Sequence, residues 1–282
     1  MTEYVIPDGP PPEIRFTRRI GFIEGAMRLW AARELVRSLA ERDLRARYKQ
    51  TALGFLWAFV QPLSLLVVFT VFFRRVATVR TGAVPYATFT FIALVPWSFF
   101  SSAVSDGSLS LVLNGALITK VACPREVFPI ARVGVALLDG AVASTAVPVV
   151  MLITGASTSL TAFWAVPLLM LEVVFAAAVA SVLAAVVVHL RDLRHAIPVL
   201  LQIGLFATPV AYGLDAIPRR LRDVYCAVNP LGAIFDGLRR SVLYNRAPDA
   251  TLLLIATAVT AVWVFGGFLA FKRMETGIAD LI

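Results

Sequence analysis

The chain has 282 residues, 59% of them hydrophobic, with 26 Lys and Arg against 18 Asp and Glu and a net charge of +8. That composition is too apolar for a soluble domain, which leaves a polytopic all-α membrane protein. The cations cluster beside apolar blocks, so the charge is read as membrane topology next to an anionic leaflet, and nucleic acid is excluded as a partner.

Residues 1–20 are polar and proline-rich, so a cleaved signal peptide is not expected. Residues 21–50 have Leu29, Ala32, Leu35, Val36 and Leu39 on one helical side and Arg33, Arg37, Glu41, Arg42 and Arg45 on the others. A basic amphipathic helix of this kind lies in a membrane interface, facing headgroups or a partner protein. Residues 1–51 are therefore assigned to a cytoplasmic N-terminal segment, and 52–282 to a transmembrane domain.

Six apolar blocks long enough to span follow, at about 53–73, 84–104, 130–153, 163–188, 196–213 and 251–271. Pro62 is expected to kink the first. With both termini inside, the inner segments hold 17 Lys and Arg and the outer ones 9, as the positive-inside rule requires. Cys123 then lies inside and Cys226 outside, so the two cannot pair within one chain. His189 and His195 are six apart, which is not the spacing of a helical zinc pair, and no metal site or catalytic group is expected.

In the first span Phe55, Phe59, Phe69 and Phe73 share an arc of about 80° at 100° per residue. Phe89, Trp97 and Phe100 do the same in the second. Aromatic faces pack on the C–H faces of sugars, so these rings are candidates for a substrate channel. Lipid contact and helix packing are the alternatives for them, and the opposite side, with Trp57, Gln61 and Ser64, is an alternative channel face. Residues 105–129 then form an inner loop with a short surface helix (Leu109, Leu111, Leu113 and Leu117 partly buried). Pro124 and Pro129 stiffen an elbow that leaves Lys120, Arg125 and Glu126 exposed to the cytoplasm.

The runs "RDLRARYKQTALGFLWAFVQPL" and "LVPWSFFSSAVSDGSLSLVLNGALITKVACPREVFP" are similar to the permease subunit of bacterial polysaccharide ABC exporters, the ABC-2 type group that exports O-antigen and teichoic-acid precursors. The resemblance covers nearly the whole chain. It implies a multi-pass inner-membrane homodimer working with two copies of a separate ATP-binding subunit, which carries the ATP and Mg. This chain lacks a phosphate loop: "GALITK" from Gly115 has no second glycine, and Val121 stands where Ser or Thr belongs. The resemblance also implies that Lys120, Pro124, Arg125 and Glu126 form a coupling element against the ATPase. A membrane-surface anchor is the alternative for the elbow.

Asp139 and Glu172 interrupt the third and fourth spans, where a charge costs roughly 2.5–3.5 kcal/mol, so both are expected to face protein or water. The loop 214–250 reads as two short helices broken at Asn229–Pro230, with Leu231, Ile234, Phe235 and Leu238 at helical spacing on the second. By resemblance it is a re-entrant outer pair. Arg219, Arg220, Arg222, Arg239 and Arg240 are placed at its wet face as an outer gate that meets anionic headgroups or the diphosphate of a lipid carrier.

The expected function is ATP-driven export of a lipid-linked polysaccharide of O-antigen, teichoic-acid or galactan type. The alternatives are an ABC-2 drug or lipid exporter, a proton-coupled transporter that uses the intramembrane acids, and a membrane glycosyltransferase. The last would need a DxD-like carboxylate pair, and the sequence has none.

Overall fold

In hydrocarbon every backbone N–H and C=O must find a partner within its own segment, and the apolar blocks fold as helices accordingly. The computed structural model describes residues 21–49, 51, 54–76, 82, 84–121 and 123–281, with the side chains of 73–76 and 276–281 outside the description. No strand occurs among the described residues.

Two helices, α1 (Phe22–Ala31) and α2 (Arg33–Tyr48), lead through a 3-10 turn into α3 (Trp57–Val76). Next come α4 (Tyr86–Ser108), two one-turn helices α5 (Ser110–Leu113) and α6 (Gly115–Ile118), and α7 (Val127–Ser144), which continues as α8 (Ala146–Thr154). The remainder is α9 (Ala165–His189), α10 (Leu193–Ala207), α11 (Arg219–Val228), α12 (Pro230–Val242) and α13 (Ala250–Leu281). The helix breaks between α7 and α8 because Pro148 has no N–H for the carbonyl of Ser144. Gly155, in the left-handed region at φ 71°, ends α8: its N–H reaches Leu152 O and that of Ala156 reaches Met151 O.

Among the described residues five helical stretches are long and apolar enough to cross a membrane: Gly54–Phe72, Tyr86–Ser108, Val127–Thr154, Leu160–His189 and Ala250–Glu275. The block at 196–213, expected as a full span, folds differently. Its helix, α10, has 15 residues, about 22 Å at 1.5 Å per residue. It stops at Ala207 because Thr208 precedes Pro209 and is pushed to extended backbone, with ψ 144°.

α4 is buried around most of its circumference and packs on α7 and α9, while α13 lies along α9. Small residues let these helices approach. A Cβ on Gly107 would meet Ala180 at 2.8 Å, and one on Gly267 would meet Val182 at 2.8 Å. Beyond the main core, a second apolar cluster at the α2 end joins Leu39, Leu111, Ile118, Phe128, Val188 and Phe271. The apolar side of α2 (Leu35, Val36, Leu39) therefore rests on protein.

Candidate functional site

The elbow is built from short pieces held from several sides. Asn114 separates α5 from α6; its amide nitrogen donates to Ser110 O at 2.7 Å, and its oxygen accepts from Arg42 at 2.7 Å. The single surface helix expected here is thus two turns. Leu111 is fully buried and Leu109 and Leu117 half-buried, but Leu113 is 65% exposed.

Arg125 and Glu126, expected at the exposed tip, turn inward instead. The Glu126 carboxylate is 2.6 Å from Lys272 Nζ, which also meets Glu275 at 2.7 Å, and the Arg125 guanidinium donates to the main-chain carbonyl of Glu275. The reason is length. α13 has 32 residues, about 48 Å, so its last turns run past a roughly 30 Å hydrocarbon layer and reach the elbow. Pro124 is half-buried, Lys120 stays exposed, and the outward surface of the elbow is completed by Val112, Leu113 and Val121.

α2 docks beside the elbow through buried charge. Asp43, 7% exposed, lies 2.9 Å from Arg132 of α7 and 2.8 Å from Arg42. Arg47 bridges Asp106 of α4 and Asp139 of α7, and Tyr48 donates its hydroxyl to Asp139 at 2.6 Å. Burial and that bond to Asp139 push the Tyr48 phenol up to about 12, so it stays a donor. Asp139 therefore has partners, and they come from α2, not from another span. Glu172 is fully buried, with neither carboxylate oxygen bonded among the described residues.

The candidate channel rings separate into two groups. Phe89, Trp97 and Phe100 are buried: Phe100 stacks on Phe175 of α9 at 5.6 Å, and Trp97 sits 5.8 Å from Phe100. In the first span Phe69 is buried against Phe206 of α10 at 6.0 Å, Phe59 is half-buried, and Phe55 is exposed with one side 4.3 Å from the Tyr48 ring. The Phe73 side chain lies outside the described residues. Trp57, Gln61 and Ser64 on the opposite side are all exposed. The stripe does not form one continuous surface within a single chain.

At the other end of the bundle α11 and α12 meet at Asn229–Pro230, as expected, with Pro230 at the first helical position where its missing N–H costs nothing. Leu231, Ile234, Phe235 and Leu238 are buried. Arg239, placed by sequence at the wet face, is 2% exposed. It donates to the carbonyls of Phe89 (3.0 Å), Pro209 (2.7 Å), Tyr212 (2.9 Å) and Val210 (2.5 Å), and its guanidinium carbon lies 3.8 Å over the Phe89 ring. Pro209 explains the change. The non-helical segment it starts, 208–213, carries carbonyls without helical partners; Arg239 satisfies three of these, and Tyr86 bonds that of Ala211 at 3.0 Å.

Arg219 and Arg220 are exposed, while Arg222 uses its Nε on Ile217 O at 2.9 Å. Arg240 meets Asp236 at 2.9 Å and Asp249 at 3.7 Å. These helices and the 213–215 turn enclose a cleft of about 650 Å³ with Arg239 and Phe89 at its floor. Cys123 and Cys226 lie at opposite ends and are both free, and no cluster of metal-ligating side chains occurs among the described residues.

Residues 34–243, from α2 through α12, match the model of the ABC-2 type transporter family. The chain belongs to the ABC-2 type transporter family. It is similar to the O-antigen export system permease protein RfbA of Myxococcus xanthus, 31% identical over 259 residues that cover 90% of this chain and 97% of that relative. An RfbA of Klebsiella pneumoniae is 27% identical over 168 residues, 58% of this chain and 63% of that protein. The ABC-2 chain is thus a multi-pass membrane subunit of a transporter, not an enzyme, and its partner is an ATP-binding subunit.

The structure unites residues of this ABC-2 permease that no sequence pattern connected. Lys272 joins Glu126, Arg47 joins Asp139, and Arg239 joins the 208–213 segment. The family match ends before α13, so Lys272, one half of the elbow's main ionic contact, lies outside it. The one available signal was the cation pair Lys272–Arg273 that closes the last apolar block, and it resembles ordinary interface residues.

Proposed function

We propose that this permease works as a homodimer with two copies of a separate ATP-binding subunit that carries the ATP and Mg, and exports a lipid-linked polysaccharide across the bacterial inner membrane. What carries the substrate reading is the similarity over 90% of the chain to an O-antigen export permease. Both termini are placed in the cytoplasm, which the Lys and Arg asymmetry supports. Two inward termini need an even number of crossings, and α10 with the segment pinned by Arg239 supplies one beside the five long spans. The exposed apolar faces of α3 (Val67, Val68, Val71) and α10 (Val199, Leu200, Ile203) favour lipid or a second copy over water.

Coupling follows from the build of the elbow. The ATP-binding subunit docks on the surface of Lys120, Val112, Leu113 and Val121. Arg125 and Glu126 act behind that surface, fastening it to α13. An elbow with its own apolar cluster and a buried ion pair moves as a body, so displacement at its tip reaches α7, α9 and α13 together. The glycan passes between subunits along first-span aromatic faces such as Phe55 and Phe59, which one chain alone leaves open.

The test is deletion of the gene with pulse-labelling of cell glycans. Lipid-linked glycan should accumulate inside and disappear from the surface, and ATP depletion should stop export while a protonophore at constant ATP should not. Unchanged surface glycan in the deletion strain, or arrest by the protonophore, refutes the reading.

A further inference from the structure

We propose that the cleft at the α11–α12 end binds a neutral, hydroxyl-rich saccharide and holds the exported chain as it leaves the membrane; this rests on the polysaccharide reading above. The volume of about 650 Å³ falls in the ~300–1,000 Å³ range of small-ligand sites. Its lining selects the ligand by charge. Five arginines and four aspartates surround it, so their formal charges sum to +1. Arg239 accounts for that excess, and four of its five N–H groups already point at main-chain carbonyls. The remaining four cations and four anions balance.

A phosphate or diphosphate site concentrates cations and excludes carboxylates, because each nearby acid repels the ligand. Here acids alternate with the cations: Arg219 and Arg222 share α11 with Asp223, while Arg240 stands between Asp236 and Asp249. That pattern offers both donors and acceptors, as the hydroxyls of a sugar require, since each both donates and accepts. Tyr244 adds an aromatic wall for C–H faces. The floor is preformed: Arg239 is fixed by its carbonyls, and Asp249 caps α13 by accepting from the N–H of Thr251 at 3.0 Å.

The site is tested on the complete permease and ATP-binding complex in nanodiscs. The probes are fluorophore-labelled tetra- to hexasaccharides released by mild acid from the producing cell's own surface polysaccharide, with inorganic pyrophosphate as competitor. Saturable binding is expected, changing less than about twofold between low and high salt because the ligand carries no charge to screen. Pyrophosphate should not displace the sugar. Asp223→Asn and Arg219→Gln, both at exposed positions, should each weaken binding roughly three- to tenfold, the size of one lost hydrogen bond. Displacement by pyrophosphate, absence of saturable binding, or wild-type affinity in both variants overturns the proposal. If the deletion strain loses surface glycan while the cleft fails these tests, this inference falls alone. If surface glycan persists in the deletion strain, the polysaccharide reading falls first.

Discussion

Arg239 replaces, with one side chain, the hydrogen bonds that a helix would have made beyond Pro209. A lysine keeps the charge but has three donors in place of five and no planar fork, so at least one of the four carbonyls loses its partner. Each buried acceptor left bare costs about 1–3 kcal/mol. Arg239→Lys should therefore lower the thermal-unfolding midpoint of the purified permease clearly, whereas Arg219→Gln at the rim should leave it near wild type. Equal midpoints for Arg239→Lys and wild type would remove the structural role. Glu172 is the opposite case, a buried carboxyl with no bonded partner among the described residues and hence no visible task. Glu172→Gln preserves its shape, and ATP-driven export should continue unchanged. Loss of export from folded Glu172→Gln protein would favour the proton-coupled mechanism.

Between elements, the contact of greatest consequence joins the elbow to α13. Glu126→Lys sets a second cation against Lys272 at a contact that now measures 2.6 Å, and Lys272→Glu puts a third carboxylate beside Glu126 and Glu275. Each single change should uncouple ATP hydrolysis from export, and the double swap should restore part of it, because the pair is re-formed with its polarity reversed while the acid then at position 272 repels Glu275. A double variant no better than either single one would mean that the pair does not transmit. α11 supplies the topology test. Cys226 is fully buried, and its thiol is pushed up to about 11 by burial and by Asp236 and Asp223, so it should resist maleimide at neutral pH. Val224, 63% exposed, is the better probe. In intact cells an impermeant maleimide should label Val224→Cys and leave Cys123 until lysis; the reverse order would invert the orientation.

Across the molecule, the two ends differ in construction. The α2 end has an apolar cluster joined by ion pairs and suits force transmission, whereas the α11–α12 end encloses a charged cleft and suits ligand contact. The surface proposed to meet the ATP-binding subunit is small and partly apolar. Leu113→Asp should therefore weaken co-purification of the ATP-binding subunit severalfold, with the permease still inserted and folded, since Leu113 contributes little to the chain's own core. Retained association would move the docking surface elsewhere.

Five of the six apolar blocks, the amphipathic N-terminal helix and the helix pair broken at Asn229–Pro230 were legible in the sequence because each depends on neighbours within a turn or two. Hydrophobic period, cation flanks and proline act locally, and the similarity to polysaccharide-export permeases rests on contiguous runs. The tertiary structure alone decided which charges face inward. Arg125 meets the main chain of Glu275 across 150 positions, Arg239 meets that of Phe89 across 150, and Arg47 meets Asp139 across 92. In the sequence each of these arginines resembles an interface cation. A long charged side chain follows whatever buried acceptor the packing of distant helices brings within reach, and helical periodicity carries no record of that packing.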